Sequence, residues 1–480
     1  MSVRSRLDCM HPILLITLVL VCSGRAAVPR LAHRCPVRLD RQSVDEELPK
    51  GMDRNTVSEE RSAGTQPPSI VWVLAATVIA GISGYFVIWL VARTLGAADY
   101  SVFGVFWSGL FLVVGVLFGV QQEMTRATAD ALHRRLPKVT KSSLFVFAGA
   151  LAIAVGVVVS VSALWWAPRA LGIENAGLST QIAWGAAANA VVATVSGLLA
   201  GAQLWRHLGS VIAGDGLLRV LLVLMALSFS TDPSVLAWAV ILPFPLALGV
   251  IVIAAPRTVI RLGRSDLSYR QLVVNSGHTV LAASATALII NGFPLVLAFF
   301  AKSDDTALLG ALILAITITR APILVPLMAL QSYLVTRFTG ATSTPWILIC
   351  RAFSLIGIAM LVLALATFLW GTASFEALIG SEFALSTSVL VPLVVSSGFI
   401  GGLCVTGPAL LAQGAHRSYA MGWVLASLIS IGMLYLPVGL GTKAALALSV
   451  GPVMGLCAHL VMLWRAGFKR GASVRLPARR

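Results

Sequence analysis

The 480-residue chain is 58% hydrophobic and only 11% charged, with a formal net charge of +16. Soluble domains carry about 25% charged residues, so one membrane-embedded unit is expected here rather than several soluble domains. The Lys and Arg residues lie between apolar runs and at the ends, without aromatic-interleaved basic patches, which argues against nucleic acid as a partner.

Residues 1–69 differ from the rest and are expected to form a poorly structured N-terminal extension. The apolar run from Ile13 to Cys22 is too short to span a bilayer. A basic start and the small residues from Ser23 to Ala27 give the run the outline of a signal peptide. Cleavage would leave the new terminus outside, whereas the charges further along place this segment inside. Translation from Met52 would yield the same membrane domain without the odd segment.

From Ile70 onward, apolar runs close to the roughly 20 residues needed to cross a hydrocarbon core recur twelve times. They lie near 70–92, 102–122, 143–166, 181–203, 208–228, 235–255, 273–300, 307–330, 347–370, 384–412, 419–438 and 442–464. Alternate connections are basic: Arg126, Arg134, Arg135, Lys138 and Lys141, then Arg206, then Arg257, Arg261, Arg264 and Arg270, then Arg337, then Arg417. The tail, 465–480, continues with Arg465, Lys469, Arg470 and Arg475. The intervening connections carry Arg93, Arg169, Lys302 and Lys443 against Asp99, Glu174, Asp232, Asp304, Asp305, Glu376 and Glu382. By the positive-inside rule both termini belong in the cytoplasm and the chain in the cell membrane.

The basic connection 256–272 divides the chain into two six-helix halves, 70–255 and 273–464. Such halves pack about a pseudo-symmetry axis with the substrate path between them. The nearest internal echo pairs the turn Ala92–Gly104 with the turn Ala301–Gly310. The fold class expected is all-α integral membrane. Cys9, Cys22, Cys35, Cys350, Cys404 and Cys457 show no close pairing or CxxC spacing, so neither a disulfide framework nor a zinc site is indicated.

The first hairpin is specific. It reads Gly84-Tyr85-Phe86 in span one, then Ala92-Arg93-Thr94-Leu95-Gly96-Ala97-Ala98-Asp99-Tyr100, then Phe103 and Gly104 opening span two. This resembles the A-R-x-L-G-x-x-x-Y-G-x-F-like turn of the polysaccharide flippase branch of the multidrug/oligosaccharidyl-lipid/polysaccharide exporter superfamily. Ser101 stands where the first Gly of that pattern is expected. Phe300 to Asp305 followed by Leu309-Gly310 is similar to the family's outward turn before span eight. The resemblance covers roughly residues 70–464. It implies two six-helix bundles around a central cavity and a lipid-linked oligosaccharide as substrate. A glycan polymerase or glycosyltransferases are the protein partners it suggests. Arg93, Gly96, Tyr100 and Gly104 of the turn read as structural rather than as substrate ligands.

Ionisable groups deep in a span cost roughly 2.5–3.5 kcal/mol on insertion scales, so they face a cavity or a partner. Arg320 lies midway along span eight, with Pro322 and Pro326 beside it. A guanidinium there suits a pyrophosphate, bound bidentately; a position nearer the interface, or internal pairing, is the competing reading. Asp215 and Arg219 in span five are spaced i,i+4 and read first as an ion pair. With Arg219 turned to the cavity it becomes a second phosphate ligand, and protonation of Asp215 would couple its release to protons. Glu123 and Arg126 read as an interfacial pair.

Span seven carries Asn275, Thr279, Ala282 and Thr286 at spacings of 4, 3 and 4, a small polar stripe that suits either a wet cavity lining or interhelical hydrogen bonds. Asn291-Gly292-Phe293-Pro294 interrupts that helix and marks a place where it can bend. Asn275 and Thr279 are thus candidate substrate-binding residues alongside Arg320 and Arg219.

No GxxxxGK[ST] pattern points to ATP hydrolysis, and the short outer connections disfavour a lipid-dependent glycosyltransferase. No catalysis and no cofactor are expected. Span one contains no acid of the kind a cation-coupled drug exporter uses. The cationic and neutral candidates favour an anionic substrate, with drug or small-molecule export and a non-transporting scaffold for glycan synthesis as the alternatives. High Arg relative to Lys points weakly to a GC-rich bacterial genome.

Overall fold

The computed structural model describes residues 70–133, 142–254, 263–265, 267–330 and 345–473, together with 256, 334, 337 and 338. The extension 1–69 and the cations Arg134, Arg135, Lys138, Lys141, Arg257, Arg261 and Arg475 lie outside the described residues.

The chain is an all-helical membrane protein. Among the described residues ten helices are long and apolar enough to cross a bilayer. The first, Ile70–His133, runs through the positions of spans one and two and is broken at Gly96. The 18-residue helix His416–Met433 occupies the position of the eleventh. Each of the twelve expected positions is therefore helical. Spans four and five, divided by only a few residues in sequence, are the helices Leu178–Gly201 and Trp205–Phe229. The sixth is two helices in line, Pro233–Ile241 and Pro243–Ala254. Asp232 caps the first of these by accepting the Ser234 amide at 2.7 Å.

The surface follows the logic of a hydrocarbon solvent. In Trp346–Leu378, span nine, none of the most apolar stretch is buried, and Leu355, Leu361 and Phe368 are each about two-thirds exposed. Lipid tails are as apolar as leucine, so exposing these side chains costs nothing there. Between helices, association rests on close approach of small residues. Gly115 of span two packs against Ala287 and Asn291 of span seven, Gly104 against Ile313 of span eight, and Gly81 of span one against Val325. The hairpin of spans one and two thus lies against spans seven and eight.

The connections after spans two and six meet in a two-residue antiparallel ladder, β1 (Ser142–Ser143) with β2 (Arg264–Ser265). Ser142 Oγ donates to the Leu267 carbonyl at 2.8 Å, and the Ser143 amide donates to the Tyr269 hydroxyl at 3.1 Å. Span seven starts beside this ladder with a capping box: Ser268 Oγ accepts the Gln271 amide and Gln271 Oε1 accepts the Ser268 amide.

Candidate functional site

Span seven is not one helix. An α-helix, Tyr269–Ala287, gives way to a π-helical turn, Leu288–Gly292, and resumes as Phe293–Ala298. The cause is local. Pro294 has no amide hydrogen, so the Ile290 carbonyl four residues before it loses its donor. Ile289 is buried, and inside a bilayer each orphaned carbonyl must find a partner in the protein or its cavity.

Arg320 supplies one. Its Nη1 donates to the Ile289 carbonyl at 2.9 Å and to the Ile290 carbonyl at 3.3 Å. Ser108 of span two repairs the next step: its hydroxyl donates to the Asn291 carbonyl at 2.5 Å and accepts the Leu295 amide at 3.1 Å. Those two backbone groups would pair directly in an unbroken α-helix. The bend is therefore stitched from both sides, by span eight and by span two.

The Arg320 side chain is not exhausted by this. The residue is 3% exposed, and among the described residues its Nε and Nη2 have no hydrogen-bond partner. Its electrostatic neighbour is Tyr85 of span one. Leaving a buried N–H unpaired costs about 1–3 kcal/mol, so two such donors on a permanently charged fork form a receptive point for an anion. The internal pairing that the sequence leaves open is met on one nitrogen, with the backbone of span seven as the partner.

Arg219 is held differently. Its Nη2 donates to both carboxylate oxygens of Asp215 at 2.7 Å, its Nε donates to the Val240 carbonyl at 3.3 Å, and the guanidinium sits 5.3 Å from the Phe111 ring and 5.2 Å from the Phe244 ring. This is an enclosed ion pair with aromatic walls, the first of the two readings its spacing allowed. Glu123, almost fully buried, accepts Arg126 Nε at 2.9 Å and Nη2 at 2.6 Å.

The polar stripe on span seven divides. Thr279 Oγ1 bonds back to its own helix, at 3.0 Å from the Ser276 carbonyl. Thr286 Oγ1 meets the Tyr419 hydroxyl of span eleven at 3.3 Å, and the Ala285 carbonyl accepts Ser427 Oγ at 3.1 Å. Asn275 is half-buried near the start of the span. The middle of the helix thus uses interhelical hydrogen bonds, while its beginning keeps a partly open polar face.

His459 carries no signal in the sequence, being a lone histidine in an apolar run. It is fully buried, with Nδ1 2.9 Å from Thr406 Oγ1 and Nε2 3.0 Å from the Tyr419 carbonyl. A carbonyl only accepts, so Nε2 carries the hydrogen.

The family-like turn adopts a strained form at one residue. Gly96 has φ 78° and ψ 171°, a region essentially reserved for glycine. Arg93 Nη1 and Trp89 Nε1 both donate to the Leu378 carbonyl, at 2.8 and 3.1 Å, and the Ala97 amide donates to Glu382 Oε2 at 3.1 Å. Tyr100 is buried with its ring edge-on to Phe383 at 5.8 Å. Gly104 leaves room for Ile313, and a methyl on Gly310 would overlap the Ala97 carbonyl. Among the described residues no cluster of His, Cys, Asp or Glu is placed to hold a metal.

The fold has counterparts among solved structures. The lipid II flippase MurJ in an inward closed conformation is similar with a TM-score of 0.62, at 12% identity over 81% of this chain and 87% of that one. An inward-facing multidrug resistance MATE family transporter of the MOP superfamily gives 0.61, at 16% identity over 88% and 99%. The chain shares its fold with these transporters. No protein-family model matches the chain. The uncharacterized proteins Rv3630 and Rv1510 of Mycobacterium tuberculosis are each 32% identical to it, over 423 and 403 residues, covering 83% of this chain and 92% of theirs. The chain belongs to the family these mycobacterial proteins represent.

Proposed function

We propose that the protein is a transporter that moves a lipid-linked, anionic glycan precursor across the cell membrane by alternating access. The observation that carries this reading is the Arg320 guanidinium, buried within span eight with Nε and Nη2 unpartnered among the described residues. Two free donors on one planar fork match two oxygens of a phosphate or pyrophosphate. A fold shared with a lipid II flippase supports the same substrate class.

In this mechanism the polar head group enters between the halves from the cytoplasmic side, where both termini lie. The prenyl tail stays in the bilayer. Arg320 holds the phosphates, the half-buried Asn275 and Thr279 offer polar contacts nearer the entrance, and the halves rock about the stitched bend of span seven. Arg219 stabilises the first half through Asp215 instead of reaching the substrate. The chain makes and breaks no covalent bond.

Export of a multidrug or other small-molecule substrate is the second reading, favoured by the likeness to MATE transporters. In that case Asp215 is the carboxylate available for coupling. Flipping of a fluorescent polyprenyl-pyrophosphate sugar by purified protein in proteoliposomes separates the two, since a drug exporter leaves that probe in its original leaflet.

A further inference from the structure

We infer that the turn between spans nine and ten is a detachable latch, closed onto the amino end of span two, and that Glu382 is the residue that fastens it. The inference rests on the alternating-access reading above and identifies the contact that must open.

The break at Gly96 makes Ala97 the first residue of a new helix, so its amide is one of the orphan donors that every helix start exposes. No residue of the first half takes it. Glu382, 285 positions away in the second half, accepts it through Oε2 and places a carboxylate at the positive end of the span-two dipole. The Leu378 carbonyl, on the same turn, takes Arg93 Nη1 and Trp89 Nε1 together. Residues 378–383 thus receive three hydrogen bonds from residues 89–97, all of them across the boundary between the two halves.

Two features make this a latch rather than permanent packing. Glu382 and Arg93 are exposed, so water can replace their partners when the halves part, unlike the stitched bend of span seven. The turn is carried by span nine, whose most apolar stretch has no buried residue and faces lipid. Phe383, Ile379 and Leu385 of the turn are buried, and the Phe383 ring meets Tyr100 edge-on, so opening must part this apolar contact as well. The glycine at position 96 is then explained twice over, because a Cβ there would stand 2.7 Å from Glu382 Oε2 as well as strain the backbone.

The test is the labelling of residue 101 in a Ser101→Cys variant, a buried position four residues along span two from the amide that Glu382 takes. A membrane-impermeant maleimide is added to proteoliposomes from one side at a time, and modification of the peptide holding residue 101 is followed by mass spectrometry. Adding Glu382→Ala is expected to raise the rate about threefold, the effect of one charge lost at a helix start. Glu382→Gln should give a smaller rise and Glu382→Asp a rate near the parent. Arg93→Ala, which removes a different strand of the latch, provides an independent variant if Glu382→Ala does not fold. Equal rates in all monodisperse variants would overturn the latch. Because no transported substrate enters the measurement, a latch that opens without any flipping of the lipid probe would leave this inference standing and remove the substrate assignment. Labelling from the basic face alone would reverse the proposed orientation.

Discussion

Arg320 gives the Ile290 carbonyl the hydrogen bond that Pro294, lacking an amide, cannot supply. The two residues lie in neighbouring spans, 30 positions apart, and meet at 3.3 Å. A charged side chain in the middle of a membrane protein is thus also part of the backbone hydrogen bonding of the helix beside it.

That relationship predicts thermodynamic coupling. Arg320→Ala orphans the carbonyls of Ile289 and Ile290 and should lower stability by about 1–3 kcal/mol. Pro294→Ala restores an amide at the break and allows span seven to regain an α-helical register. In the double variant the loss on removing Arg320 should shrink by at least about 0.5 kcal/mol, the threshold at which neighbouring sites depart from additivity. Thermal or denaturant unfolding of the four proteins in one detergent measures the cycle; simple additivity would show that the stitch carries no energy.

Ser108→Ala should be more harmful than its small change in volume suggests. The Asn291 carbonyl and Leu295 amide lose their shared partner in a buried place, at a cost of about 1–3 kcal/mol. Ser101→Ala is the control. Its hydroxyl bonds only to the Ala98 carbonyl of the same turn, at 2.7 Å, and its removal should be near neutral. Comparing the two midpoints of unfolding checks the difference.

The Asp215 and Arg219 pair should tolerate joint replacement better than single replacement. Asp215→Asn leaves a guanidinium enclosed between Phe111 and Phe244 without its counter-charge, which for a buried pair costs about 3–5 kcal/mol. Asp215→Leu with Arg219→Met removes both charges and should recover much of that loss. Expression level and unfolding midpoint read the outcome, and a double variant as damaged as the single one would point to a role beyond mutual neutralisation.

Gly96→Ala should be poorly tolerated for backbone reasons alone, at about 1–3 kcal/mol. The position combines φ 78° with ψ 171°, and the new methyl would also press on Glu382. An unfolding midpoint equal to that of the parent would show that the turn relaxes at no cost.

Much of the fold was legible because hydrocarbon is a simple solvent. Runs of about 20 apolar residues separated by charges require helices there, and the positions of all twelve were readable, including the close hairpin around Leu204. Pro294 announced a break in span seven for a covalent reason. Arg320 stood out because a cation is rare at that depth. Other features depend on partners distant in sequence. Ser108 looks like any serine in an apolar run, and its role arises from Asn291 and Leu295, 183 and 187 positions away. Glu382 reads as a solvated loop charge until the turn at Gly96 is brought beside it. Asn275 and Thr279 shared one stripe in sequence, yet neighbouring helices divided that stripe between self-bonding, interhelical contact and partial exposure.

The most direct test of the central claim is lipid flipping. Purified protein is reconstituted in proteoliposomes with a fluorescent polyprenyl-pyrophosphate sugar, and leaflet exchange is compared for wild type, Arg320→Lys and Arg320→Ala at equal incorporation, with protein-free vesicles as blank. The account predicts exchange by the wild type, partial exchange by Arg320→Lys, which keeps the charge but not the planar fork, and exchange near the blank for Arg320→Ala. Exchange by Arg320→Ala at the wild-type rate would contradict the assigned site, and wild-type protein indistinguishable from the blank would contradict the proposed substrate class.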